Sequence, residues 1–211
     1  MSKIIIAIDG PAAAGKGTLA RRIAAALSLP YLDTGLLYRA VGRLVLDAGA
    51  NPADPDAATA AAKALTETDL TRTDLRGGAA DMAASQVASI PGVRAALLDY
   101  QRHYGGINGA VLDGRDIGTI VFPQADIKLF VTASLPARAA RRHAELTGRG
   151  DSVSLADVEA DLAARDEADA NRTAAPLRPA EDAVLFDTTT LDADSAFSRA
   201  LEIIRQRGKT A

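Results

Sequence analysis

Apolar residues come along this chain in two kinds of block that alternate. Ile4-Ile5-Ile6-Ala7-Ile8, Ala110-Val111-Leu112, Ile127-Lys128-Leu129-Phe130-Val131 and Ala183-Val184-Leu185-Phe186 are strand-length runs rich in β-branched residues. Between them the spacing changes. Leu19, Ile23, Ala26 and Leu27, and then Leu37, Val41, Leu44, Val45 and Ala48, recur every three or four positions, which places each set on one face of a helix. The pattern predicts strands at about 4–9, 29–33, 110–113, 126–132 and 183–187. Helices are expected from about Lys16, from 35 to a stop at Gly49, over 56–65, over 81–104 with a break at Pro91-Gly92 and an end at Gly105-Gly106, after Pro136 to about 146, and over 195–207. Residues 66–80 read as a polar connection through Arg72, Gly77 and Gly78. Buried strands each followed by a helix indicate an α/β fold whose core is a parallel sheet, with ligands at the carboxyl ends of the strands.

Polar residues stand at those ends: Asp9-Gly10, Asp33-Thr34-Gly35, Asp113-Gly114-Arg115-Asp116 and Asp187-Thr188. The first of them opens a loop, Gly10-Pro11-Ala12-Ala13-Ala14-Gly15-Lys16-Gly17-Thr18, between a strand and a helix. Glycines at both ends of such a loop let successive backbone N–H groups face inward, Lys16 adds a mobile cation, and the helix N-terminus points its positive end at the same place. A polyphosphate is the natural occupant. Gly17 stands where a serine or threonine usually faces magnesium, and Thr18 follows one step late.

Composition narrows the remaining chemistry. With 211 residues and 48% hydrophobic content the chain can bury a substantial core. It has no run long enough to span a membrane and no secretory signal pattern, which makes a cytoplasmic location the expectation. Zero cysteines exclude disulfides and thiolate chemistry, and two histidines leave little material for a metal cluster. A formal charge of −3, with few aromatic residues, gives no general basis for gripping a nucleic-acid polymer. Anions must be held locally.

Two further clusters could do so. In Asp113-Gly114-Arg115-Asp116 an acid at a strand end can organise hydrated magnesium while the arginine forks onto phosphate oxygens; a solvated turn is the alternative. Arg165, Asp169 and Arg172 fall at i, i+4, i+7, one face of a helix, a pattern equally at home on a solvated surface.

Gly10-Pro11-x3-Gly15-Lys16-Gly17-Thr18, Asp33-Thr34-Gly35-x2-Tyr38-Arg39, Ala84-Ser85-Gln86-Val87-Ala88, Val93-Arg94, Asp113-Gly114-Arg115-Asp116-Ile117-Gly118-Thr119 and Arg165-Asp166-x2-Asp169-x-Asn171-Arg172 together resemble the bacterial cytidylate kinases over nearly the whole chain. That resemblance implies a P-loop kinase fold: one domain, 1–211, with helices flanking the sheet, a short monophosphate-binding insert at about 34–105 and a small lid at about 138–172. It implies transfer of the terminal phosphoryl group of ATP to CMP or dCMP, with magnesium, by a monomer acting on small molecules alone. Matched position by position, Ser85, Arg94 and Asp116 fall on the family's cytosine contacts, Arg165 and Asp169 on its sugar contacts, and Arg39, Arg115 and Arg172 on its acceptor-phosphate clamps, with Thr34 on the same substrate side. Gly10 to Thr18 would hold ATP. Lys16, Arg115, Asp113 and Arg172 would carry the catalysis, and Thr18 and Asp113 would stand near the metal, largely through water. Arg138, Arg141, Arg142 and Arg149 flank the lid, where some would face the transferring group and others would be ordinary surface arginines.

One segment departs from the family. The interval before Ser85 is too short for the three-stranded unit that many relatives carry there. Two other readings stay open on sequence alone: a P-loop kinase for a different small acceptor, and a nucleotide-dependent switch. The chain lacks the [N/T]-K-x-D guanine-reading pattern, which counts against the switch.

Overall fold

The structure, a computed structural model, describes residues 3–75 and 77–207. The chain divides into two compact units, residues 1–32 with 108–211, and residues 33–107.

The first unit is built on a five-stranded sheet in the order β2-β3-β1-β4-β5, where β1 is Ile5–Asp9, β2 Tyr31–Asp33, β3 Ala110–Gly114, β4 Ile127–Thr132 and β5 Val184–Asp187. β1 runs parallel to β3 and β4, and β4 to β5, as expected of buried strands joined by crossovers. Ile6, Ile8, Val111 and Leu129 meet Leu19, Ala20 and Ile23 of helix α1 (Lys16–Leu27) in the main core, together with Ala200 and Ile204 of α8 (Ala193–Arg207). Fully burying a side chain of that size contributes about 1.5–3 kcal/mol.

The second unit is helical. α2 (Thr34–Asp47) buries Leu37, Val41 and Val45 and packs on α4 (Gly78–Ala88), with α3 (Pro55–Ala64) alongside. A Cβ on Gly42 would stand 2.8 Å from that of Ala83, so glycine is what lets these two helices approach so closely. The short insert therefore takes a form with no strands among its described residues: α3, a 3-10 turn at Thr68–Thr71, and a connection closed by ion pairs. Arg72 pairs with Asp47 and Asp74, each at 2.7 Å, and Arg43 with the same two acids at 2.7 and 3.1 Å. Arg72 lowers the pKa of both acids through its hydrogen bonds.

Three features differ from expectation. α5 (Pro91–Asn108) runs through Gly105 and Gly106 and stops at Gly109, whose φ of 76° and whose absent Cβ, 2.4 Å from Ile4 O, admit only glycine. After α6 (Leu135–Gly148), a seventeen-residue helix α7 covers Leu155–Asn171. Only its last turns are visible in the charge spacing, and Arg172 lies just beyond the helix with non-helical backbone. A π-type turn at Ile117–Val121 follows the Asp113-to-Asp116 segment.

Candidate active site

The loop after β1 is shaped by contact as much as by flexibility. At Gly10 φ is 146°, and a Cβ there would lie 1.9 Å from Val131 O, so the chain can turn over β4 only without a side chain. Ala13 (φ 58°) and Gly15 (φ 87°) complete the turn in the left-handed region. Lys16 begins α1. Its side chain is buried and its Nζ donates to Pro11 O at 2.7 Å, so the lysine is folded back along the loop. Thr18 is exposed in the first turn of the helix.

Cations gather here. Burial lowers the Lys16 pKa, and Arg115 and Arg165 push it down further against the pull of Asp113 and Asp9. Arg115 donates its Nε to Asp169 Oδ2 at 2.7 Å, and Arg172 Nη2 lies 3.9 Å from the other oxygen of that acid. Burial works to raise the Asp169 carboxyl, but Arg115, with Arg172 and Arg165, outweighs it and holds the pKa below its ordinary value. The helical spacing of Arg165, Asp169 and Arg172 thus brings real partners together, although Arg172 reaches Asp169 from outside the helix.

Asp113 is buried one residue before the end of β3, and its Oδ1 accepts from the Tyr31 hydroxyl at 2.8 Å. Asp116, also buried, sits one residue before the π-type turn. That turn is pinned by Asp9, whose two oxygens accept from Ile117 N at 2.8 Å and Gly118 N at 2.7 Å. Neither Asp9 nor Tyr31 carries a role that the sequence alone predicts. The only signal for Asp9 was its position at the strand end; Tyr31 lies 82 residues from its partner.

Burial raises the Asp9 pKa from 3.8 to about 6 despite those two N–H groups, with Asp116 adding to the rise and Lys16 opposing it. The folded chain therefore keeps a proton that the unfolded chain releases near 3.8. The resulting stability is present below that pH and is lost as pH climbs to about 6. In urea titrations, wild type should lose on the order of 1–3 kcal/mol relative to Asp9→Asn between about pH 4 and pH 6. A difference that stays flat with pH would mean the carboxyl titrates at its ordinary value.

Of the four arginines on α6 and just after it, two brace the unit. Arg138 is buried, donating to Ala133 O (3.0 Å), to Ala12 O in the loop (3.2 Å) and to both Asp166 oxygens (3.1 and 2.5 Å). Arg141 donates to Thr188 O at 2.5 Å and to its Oγ1 at 3.1 Å, and Thr188 Oγ1 donates to Ala14 O at 3.2 Å. Arg142 and Arg149 pair with Glu145.

In the helical unit, Asp33 caps α2 through Leu36 N (3.1 Å) and pairs with Arg39 Nη2 at 2.8 Å. A Cβ on Gly35 would come within 3.2 Å of the Arg39 guanidinium, so glycine leaves it room to fold back. Arg39 Nε is buried with no hydrogen-bond partner among the described residues, a donor aimed at no protein acceptor. Thr34 is buried in the first turn of α2, Ser85 is half-buried on α4, and Arg94 lies over the Tyr38 ring at 5.6 Å while donating to Ala88 O.

Holding a lysine in a protein interior beside other cations is costly until a polyphosphate neutralises them. A glycine loop running into a helix N-terminus at the carboxyl edge of a parallel sheet is where such a ligand fits, and this defines a P-loop phosphotransferase. The cytidylate kinase family model matches residues 6–206, and the chain belongs to the cytidylate kinase family. It is 62% identical over 203 residues to a protein named cytidylate kinase from Acidiphilium cryptum (strain JF-5), covering 96% of each chain. A cytidylate kinase of Granulibacter bethesdensis is 60% identical, covering 97% of this chain and 98% of its own. The fold also matches the crystal structure of an uncharacterized protein from Eubacterium ventriosum ATCC 27560, with a TM-score of 0.56 and 13% identity over 96% of this chain and 98% of that one. At that identity the likeness concerns the fold alone.

Proposed function

We propose that the protein transfers the terminal phosphoryl group of ATP to CMP or dCMP, giving ADP and CDP or dCDP. The observation that carries this reading is the gathering of Lys16, Arg115, Arg165 and Arg172 around buried acids at the carboxyl edge of the sheet. A clustering of cations this close suits phosphorylated substrates.

The loop from Gly10 to Thr18 holds the donor, with Lys16 leaving Pro11 O for the terminal phosphates. Arg39, Arg115 and Arg172 hold the acceptor phosphate and offset the repulsion between two anionic reactants, which is most of what phosphoryl transfer asks of a protein. The acceptor oxygen is already anionic, so no strong general base is needed. Asp116 accepts the exocyclic amine of cytosine; a uracil carbonyl there would oppose two acceptors. Ser85 and Arg94 donate to the ring carbonyl and nitrogen, Arg165 and Asp169 reach the sugar, and Thr34 lines the same side. Asp113 offers the hard oxygen donors that magnesium prefers, and Thr18 a hydroxyl nearby, both acting largely through water. These residues would hold magnesium, which would supply neutralising charge to the donor phosphates. The segment about 138–172 acts as the lid. The enzyme works as a cytoplasmic monomer on small-molecule nucleotides, and sedimentation at the mass of one chain would check the oligomeric state.

A panel of nucleoside monophosphates with ATP and magnesium tests the assignment. CMP and dCMP should be converted ahead of UMP, AMP and GMP, whereas preference for another acceptor would overturn it. In the same assay Asp116→Ala should cost kcat/KM for CMP about 10²-fold or more, through loss of a buried charged hydrogen bond, and leave ADP affinity within about twofold. Equal losses on both sides would remove Asp116 from base reading.

A further inference from the structure

The loop lacks the hydroxyl that usually follows its lysine, yet a hydroxyl stands beside the gap. A Cβ built on Gly17 would lie 3.6 Å from Tyr31 Oη and 3.7 Å from Asp113 Oδ2, while Tyr31 Oη itself donates to Asp113 Oδ1 at 2.8 Å. A serine at position 17 would have carried its oxygen into this same space. We propose that Tyr31, delivered from β2, does the work of the missing loop hydroxyl: it orients the Asp113 carboxylate toward the hydrated magnesium of the bound nucleotide. Tyr31 is thus a positioning residue, and the inference rests on the Mg·ATP donor assigned under Proposed function.

The rest of the side chain is built to hold that hydroxyl still. The ring packs against the main core, and Arg21 lies over it at 5.4 Å. Tyr31→Phe keeps the packing and the cation–π contact and removes only the oxygen. Position 17 tolerates a side chain, because α1 is regular there and both near atoms stand at ordinary contact distance. Compensation from that position is therefore open to test.

A purely structural bond between Tyr31 and Asp113 makes a different prediction. It would lower Tm in the Phe variant and weaken nucleotide binding equally with and without metal.

The experiment is calorimetric titration of ADP into wild type, Tyr31→Phe, Gly17→Ser and the double variant, each with magnesium and with EDTA. Metal-free ADP affinity should be the same in wild type and Tyr31→Phe. The gain in affinity on adding magnesium should shrink about tenfold in Tyr31→Phe, the scale of one charge-assisted hydrogen bond, and return at least in part when Gly17→Ser is added. An unchanged magnesium gain in Tyr31→Phe, an equal loss with and without metal, or a double variant no better than the single would each overturn the proposal. Wild type that binds no ADP in EDTA or magnesium would instead sink the kinase reading beneath it.

Discussion

Gly10→Ala should unfold or nearly unfold the first unit, lowering stability by about 4 kcal/mol or more and Tm by on the order of 10 °C. The physical cause is a collision with backbone. The new Cβ would be placed 1.9 Å from Val131 O and 2.9 Å from Val131 C, atoms of a central strand that pairs on both sides and cannot retreat without breaking its ladder. The φ of 146° adds strain that an L side chain rarely accepts. Gly15→Ala separates the two effects, because its φ of 87° is also left-handed but nothing lies within 4 Å of its Cβ. That variant should lose only about 1–2 kcal/mol. Thermal melts of the two proteins check the ranking, and similar losses in both would mean that conformation rather than crowding demands glycine at the start of the loop.

The same contrast explains why much of the fold is legible in the sequence and why some is not. Strand runs such as Ile4 to Ile8 announce themselves because they are buried on both faces and bounded by glycine or acid. All five expected strands are present. α7 is obscured because most of its surface is charged, and only Val158 and Leu162 are buried apolar anchors. Gly105 and Gly106 mislead for the opposite reason: glycine inside a helix costs only about 1 kcal/mol, so the pair does not have to end one. Gly109, three positions on, must, because Ile4 O leaves no room for any other residue there.

The site divides along similar lines. Local motifs show which residues could meet a phosphate, and the loop, the Asp113-to-Asp116 segment and the Arg165-to-Arg172 charges all gather in one unit. Partners far apart in the chain are invisible to spacing. Asp9 reaches Ile117 and Gly118 across more than a hundred residues, and Arg138 reaches Ala12 across 126. Arg138 shows the consequence: an arginine that spacing could assign equally to a mobile lid is instead a brace between the loop, α6 and α7. The two acids at the carboxyl end of the sheet, Asp9 under the N–H groups of Ile117 and Gly118 and Asp113 beside Tyr31, act through geometry that only the folded chain supplies.

Lys16→Met should separate function from stability most sharply. Catalysis should fall about 10³-fold in kcat/KM, near 4 kcal/mol, because charge develops on the transferring group in a dry site where one preplaced cation counts far more than in water. With the loop N–H groups holding the nucleotide as proposed, most of the loss should appear in kcat. The nucleotide-free protein, by contrast, should be at least as stable as wild type. Burial and the nearby Arg115 and Arg165 disfavour a charge at Lys16, so its folded pKa lies below the ordinary 10.5. Between those two values the unfolded chain binds the extra proton, so wild-type stability rises with pH across that window and is least below it, where the lysine is charged in both states. Any advantage of Lys16→Met in denaturant should therefore be largest at neutral or lower pH and shrink as the solution becomes alkaline. A variant both inactive and less stable at every pH would show that the bond to Pro11 O matters more to the fold than the buried charge costs it.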